Sequence, residues 1–352
     1  MTIDSQKLDD FLGRAVGDLA AGYGGVMISL GRRLGLYQAM AGAGPLNSHE
    51  VARRAGCAER YVREWLNSQA AAGYVTYHPS SGAYELPPEQ AAVLADEDSA
   101  VYLPPAWDVV ASMWFDEERS AAAMRSGEGL AWGDHHERMA CGVAAFYRNA
   151  YRGSLVQEWL PALNGIDEKL CAGATVADVG CGHGHSTVAM AEAFPQSRFC
   201  GFDAHPESIE AARDNALAAG VSDRVRFEIA TAHDYAERGF DLICFFDCLH
   251  DMGDPVGAAT HAAAALNDDG AVMLVEPFAG DRVEENLTPV GRLYYSASTT
   301  LCCAHSLSED VGLALGAQAG EARLAEVFGK AGFASFRRAC ETPFNLVLEA
   351  RL

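Results

Sequence analysis

The chain is 352 residues long and 49% hydrophobic, which is enough for more than one domain and an ample core. A formal net charge of -22 argues against a surface built for phosphate backbones or anionic lipid and suits small neutral or cationic partners better. Ten cysteines form no C-x-x-C pair, no charged-then-apolar leader opens the chain, and apolar runs break well before the roughly 18 residues of a membrane span, so the expectation is a soluble cytoplasmic protein with reduced thiols, no membrane partner and no metal.

Residues 8 to 42 place Leu8, Phe11, Leu12, Val16, Leu19, Met27, Leu30, Leu34 and Leu36 at helical spacing, which predicts helices with a buried face, broken at Gly22-Tyr-Gly-Gly25. The cap-like Asn47-Ser48 opens a short helix that should stop at Gly56, and a second helix runs from Ala58 to Ala72, making a helix-turn-helix. Strands at Tyr74–Tyr77 and Ala83–Leu86 around the turn His78-Pro-Ser-Ser-Gly82 complete a winged helix. DNA reading would fall to the second helix, whose Glu59, Arg60, Arg63 and Glu64 cancel. Residues 1 to 98 hold 8 Lys/Arg against 12 Asp/Glu, so packing or homodimerisation is the favoured role and nucleic acid the disfavoured partner.

Residues 99 to 172 read as a mainly helical connector carrying Trp107, Met113, Trp114, Phe115, Trp132, Phe146, Tyr147 and Tyr151. Such a set is core first and pocket lining second, and it could do both. His135-His136 here, and His183 and His185 further on, lack a spacing diagnostic of a metal.

Residues 173 to 352 form the third region, and its opening run, Thr175-Val-Ala-Asp-Val-Gly-Cys-Gly-His-Gly-His185, is an apolar strand ending in an acid and alternate glycines. Gly180, Gly182 and Gly184 give G-x-G-x-G, whereas a dinucleotide fingerprint needs its last glycine where His185 stands. The turn therefore reads as one for S-adenosylmethionine, with backbone N–H groups facing the ligand and Asp178 placed for the methionyl ammonium. A second strand, Arg198–Asp203, ends in an acid 19 residues beyond Gly184, placed for ribose hydroxyls or for a helix cap, or both. Strands Arg224–Ile229 and Asp241–Phe246 lead into Ala230-Thr-Ala-His-Asp234 and Asp247-Cys-Leu-His-Asp251, and loops after alternate strands of one sheet converge on one crevice. A strand at Ala271–Glu276, helices near 291–303 and 321–331, and closing strands Phe336–Glu341 and Phe344–Ala350, joined too tightly for a crossover and so antiparallel, complete the region.

With Asp178-Val-Gly-Cys-Gly-His-Gly184, Asp203, Phe246-Asp-Cys-Leu-His-Asp-Met-Gly-Asp-Pro255 and Val275-Glu-Pro277 in place, the chain resembles the class I S-adenosylmethionine-dependent methyltransferases over essentially its whole length, and within them a bacterial group with an N-terminal winged helix. The resemblance implies an α/β fold, a Rossmann-like seven-stranded methyltransferase sheet whose last strand is antiparallel, behind a mainly α-helical winged-helix domain. The chain is also similar to small-molecule O-methyltransferases of the caffeate type, in which a histidine of a Leu-His-Asp stretch deprotonates the acceptor. This implies His250 as general base and Glu276 as the acid that orients it, while a histidine that merely caps or packs is the other reading of the residue. Glu321 does not stand at the spacing of that family's second acid. Phe146 and Ser154 keep the interval of two cofactor-side residues, although Ala150-Tyr151 replaces a methionine there. The implied cofactor residues are Phe146, Tyr151, Ser154, Asp178, Gly180, Cys181, Gly182, Gly184, Asp203, Ala204, Thr231, Ala232, Asp247 and Cys248.

The expectation is thus methyl transfer to a small, aromatic or apolar hydroxylated molecule. Two other readings stay open: a ligand-responsive DNA-binding regulator that retains the cofactor fold, and an enzyme that uses the sulfonium without transferring methyl.

Overall fold

The structure, a computed structural model, describes residues 3–352. The backbone separates into two compact units, one of Met1–Ala111 with Arg138–Asn149 and one of Ser112–Glu137 with Ala150–Leu352, so that the 99–172 stretch contributes to both.

In the first unit a helix of 29 residues, Ser5–Arg33, starts at Asp4, whose side chain accepts from the N–H groups of Gln6 and Lys7. It runs through Gly22–Gly25 without the expected break, because helical hydrogen bonds need no side chain. Gly25 instead admits a neighbour, since a Cβ there would lie 2.6 Å from Cδ1 of Trp107. The expected buried stripe is a second correction: Leu8, Phe11, Leu12, Val16, Leu19, Leu30 and Leu34 are exposed, Phe11 and Leu19 at 62% each, and of that set only Leu36 is fully buried. The helix has more apolar surface than its own unit covers.

The helix-turn-helix forms as its caps dictate. Asn47 and Glu50 make a reciprocal capping box at Ser48–Ala55, Gly56 takes the left-handed conformation that stops this helix, and Glu59–Ala71 follows. The wing is the antiparallel pair β1 (Thr76–His78) and β2 (Ala83–Glu85). Ile28, Tyr37, Val51, Val62, Trp65 and Leu66 fill the core of this winged helix.

The second unit is a seven-stranded sheet of β3 (Thr175–Val179), β4 (Arg198–Asp203), β5 (Val225–Ile229), β6 (Phe240–Phe246), β7 (Leu266–Pro277), β8 (Ser335–Glu341) and β9 (Asn345–Arg351). Their order is β5-β4-β3-β6-β7-β9-β8, with β3 to β7 parallel and β9 antiparallel to both neighbours. Helices on both faces explain why β3 and β6 read as nearly continuous apolar runs. The order reverses between β3 and β6, which places a crevice beyond their carboxyl ends.

The aromatic set of residues 99–172 is core only in part: Trp107 packs half-buried against the winged-helix core, and Met113, Trp132, Phe146 and Tyr147 are half-buried. Trp114 is 71% and Phe115 61% exposed, whereas Tyr151 is buried, at the start of a π-helical stretch, Tyr151–Trp159. No helix among the described residues is long and apolar enough to cross a membrane.

Candidate active site

The glycine turn after β3 is built by backbone demands. Gly180 has φ +75°, and a Cβ on it would meet Sγ of Cys248 at 2.8 Å; Gly184 has φ +71° and would drive a Cβ to 2.5 Å from the Phe227 ring. Both positions exclude any side chain. Helix His185–Ala193 starts at the turn, and its first residues hold the acid of β3: Ser186 and Thr187 each donate a hydroxyl to Oδ2 of Asp178 at 2.6 Å. Oδ1 of Asp178 is buried without a hydrogen-bond partner. Burial pushes this carboxyl up to about 6, against the pull of the two hydroxyls.

On β4, Asp203 accepts from the N–H of Gly182 through Oδ2 and from that of His205 through Oδ1, both at 2.9 Å. It thus braces the glycine turn and the entry to helix Pro206–Ala218, whose N-cap position is His205. Burial raises its carboxyl, with the two N–H bonds opposing. Ala204 is exposed beside it. After β5, Thr231 turns its hydroxyl back to Asp234 at 2.9 Å, and Ala232 is half-buried.

The loop after β6 carries Asp247 at φ +50°, with Asn345 of β9 donating to its Oδ1 at 2.8 Å. Next, Cys248 turns its thiol to the carbonyl of Val179 at 3.2 Å, and burial pushes that thiol far above its usual range. Tyr151 lies 5.3 Å, ring to ring, from Phe246 at the end of β6. Ser154 is on the same π-helical stretch, half-buried, and Cys181 is buried in the glycine turn. Phe146 falls in the other compact unit.

His250 and Glu276 come together from the ends of the adjacent strands β6 and β7. Nδ1 of His250 meets Oε2 of Glu276, while Oε1 accepts from the backbone N–H of Leu249 at 3.1 Å and of His250 at 3.3 Å. The second acid at the histidine is its sequence neighbour: Oδ1 of Asp251 is 3.0 Å from Nε2, at ion-pair distance but without completing a hydrogen bond. Burial works against charge on His250, yet Asp251 and Glu276 outweigh it and hold the imidazole well above its usual range. Burial likewise opposes charge on Asp251, but His250 keeps this carboxyl below its usual range. Glu321, the acid at the wrong spacing, pairs with Arg338.

Sequence reasoning missed Ser186, Thr187, Asn345 and Cys302. The two hydroxyls had a signal, since they open the helix eight and nine residues after Asp178. Asn345 and Cys302 had none, because the fold alone carries them to this end of the sheet.

A free buried oxygen on Asp178 and a turn in which Gly180 has no room for a Cβ fit the S-adenosylmethionine that the resemblance implies. Two family models match the chain, the Rv2258c-like winged HTH domain over residues 22–96 and the methyltransferase domain over residues 170–325. No curated protein matches it. Among solved structures it is similar to a Nostoc punctiforme protein assigned as an O-methyltransferase, at 19% identity and a TM-score of 0.72 over 99% of both chains. The mitomycin 7-O-methyltransferase MmcR aligns at 19% identity and a TM-score of 0.69, over 99% of this chain and 100% of that one. Human N-acetylserotonin methyltransferase, solved in complex with S-adenosylmethionine, aligns at 17% identity and a TM-score of 0.67 over 97% of each. At these identities the likeness is one of fold.

Proposed function

We propose that this chain, a class I methyltransferase-family member with an N-terminal winged helix-turn-helix domain, transfers the methyl of S-adenosylmethionine to a hydroxyl of a small aromatic or apolar molecule. One observation supports the reading: Asp178 of β3, Glu276 of β7 and His250 in the loop after β6 stand at the carboxyl end of three neighbouring parallel strands, with His250 and Glu276 in contact.

When bound, S-adenosylmethionine would supply a sulfonium methyl whose carbon the acceptor oxygen attacks in line, the carbon–sulfur bond breaking and S-adenosylhomocysteine leaving. Oδ1 of Asp178 is the free acceptor for the methionyl ammonium. Each oxygen of Asp203 accepts one N–H bond and keeps a lone pair for a ribose hydroxyl. Glu276 fixes the ring of His250 through Nδ1, and Nε2, which faces Asp251 at 3.0 Å, takes the acceptor's proton once the imidazole has lost its own; a base so placed contributes roughly 10² to 10⁴ in rate. Holding the oxygen about 3 to 3.5 Å from the methyl supplies much of the rest.

The DNA-regulator reading loses ground in the second helix of the helix-turn-helix. Arg63 is tied to Glu59 at 2.7 Å and Arg60 to Glu64 at 2.6 Å, so these cations are already committed. The uncovered apolar face of Ser5–Arg33 supports homodimerisation instead. The enzyme reading is tested by screening phenols and other small hydroxylated compounds for release of S-adenosylhomocysteine; failure of every acceptor class with bound cofactor would favour an enzyme that does not transfer methyl.

A further inference from the structure

His250, Asp251 and Cys302 bring a ring nitrogen, a carboxylate oxygen and a sulfur within 4.8 Å of one another. His250 and Cys302 are buried, and Oδ1 of Asp251 is shut off from solvent, with Nε2 of His250 at 3.0 Å. Zinc binds such donors at about 2.0 to 2.2 Å for nitrogen and oxygen and about 2.3 Å for sulfur, which puts ligand atoms roughly 3.3 to 3.6 Å apart. Nε2 of His250 and Oδ1 of Asp251 are already 3.0 Å apart, and the three donors, all within 4.8 Å, would close to that spacing around an ion.

We propose that Nε2 of His250, Oδ1 of Asp251 and Sγ of Cys302 form a site for one soft divalent cation of the zinc type, with a fourth position open. Two features favour such an ion over magnesium or calcium. The donors are mixed nitrogen, oxygen and sulfur, whereas hard cations take oxygen alone. Glu276 grips Nδ1 of His250, the carboxylate–histidine pairing that fixes the ring of a metal-ligating imidazole and raises its basicity. Burial pushes the Cys302 thiol up to about 12, with Asp251 adding to the effect, so without metal it is a neutral thiol, and both it and the protonated His250 give up a proton to solvent as the cation binds.

One consequence rests on the proposed methyl transfer: the cation takes the nitrogen that would receive the acceptor's proton, so its binding switches that reaction off. The site itself does not depend on that reading.

The full-length chain, stripped with chelator and dialysed against Co²⁺ or Zn²⁺, should retain one ion per chain. Its Co²⁺ form should show a thiolate-to-cobalt band in the near ultraviolet. Cys302→Ala should abolish the band and weaken Zn²⁺ by more than 100-fold, and Glu276→Gln, which leaves all three ligands in place, should weaken it about 10- to 100-fold. If Cys302→Ala does not fold, Cys302→Ser keeps the size of the side chain and should also lose the band. No retained ion, or a band that survives both Cys302 variants, overturns the site. A retained ion, with no methyl transfer to any acceptor by the chelator-stripped protein, leaves the site standing and removes the reading of the base; methyl transfer by a protein that retains no ion does the reverse.

Discussion

Ser186 donates its hydroxyl to Oδ2 of Asp178 at 2.6 Å and, with Thr187, leaves Oδ1 as the buried oxygen free for a ligand. The carboxyl, at about 6 rather than its ordinary 3.8, must be ionised to receive an ammonium. Affinity for S-adenosylmethionine should therefore weaken as pH falls through 6, and Asp178→Asn should cost about 1.5 to 3 kcal/mol and flatten that dependence. Calorimetry at pH 5 and pH 8 checks both, and a pH-independent affinity would contradict the role.

The same shift affects the ligand-free protein with a defined sign. The folded value lies above the unfolded one, so the stability Asp178 gains by holding its proton is fully present below 3.8 and is lost as pH rises through 6. Melting curves of the wild type and of Asp178→Asn across that window should converge at its lower end. Parallel curves throughout would mean that Asp178 is ionised across the window.

Asp203 braces the glycine turn through Gly182 and keeps lone pairs for ribose. Asp203→Ala should weaken S-adenosylhomocysteine by about 1.5 to 3 kcal/mol or more, since the turn loses its anchor as well, and NAD should not bind either form. An unchanged dissociation constant would sink the assignment.

His250→Ala should lower the single-turnover rate by roughly 10² or more while S-adenosylhomocysteine binds nearly as before, because the base acts in the transition state. Glu276→Gln should do less, since it still accepts from the backbone N–H groups of Leu249 and His250. A His250→Ala enzyme with normal turnover would leave the histidine a packing role.

Phe11, Leu12, Val16 and Leu19, all more than half exposed on one helix, should be covered by a second copy. Light scattering should show a dimer for the intact chain. A Phe11→Glu and Leu19→Glu double variant should run as a monomer with an unchanged far-ultraviolet circular dichroism spectrum. A monomeric wild type would refute the dimer.

What the sequence determined by itself was whatever rests on neighbours along the chain. The capping box at Asn47, the stop at Gly56, the alternate glycines after β3 and the apolar runs of a sheet covered on both faces are set within a few residues, and each was legible. Periodicity, however, says only that a helix has an apolar face, not what covers it. Phe11 and Leu19 looked like core, and Trp114 and Phe115 looked like core or pocket, until the packing left them exposed. The site divides the same way. Asp178, His250 and Glu276 could be named from their strand ends, whereas the hold of Asn345 on Asp247, 98 residues away in the chain, and the arrival of Cys302 beside His250 and Asp251 exist only because the sheet order and the helices beyond β7 bring distant segments to one crevice. Local rules choose elements; only tertiary packing decides which side chains share a volume, and the raised proton affinities of His250 and Asp178 follow from that shared volume.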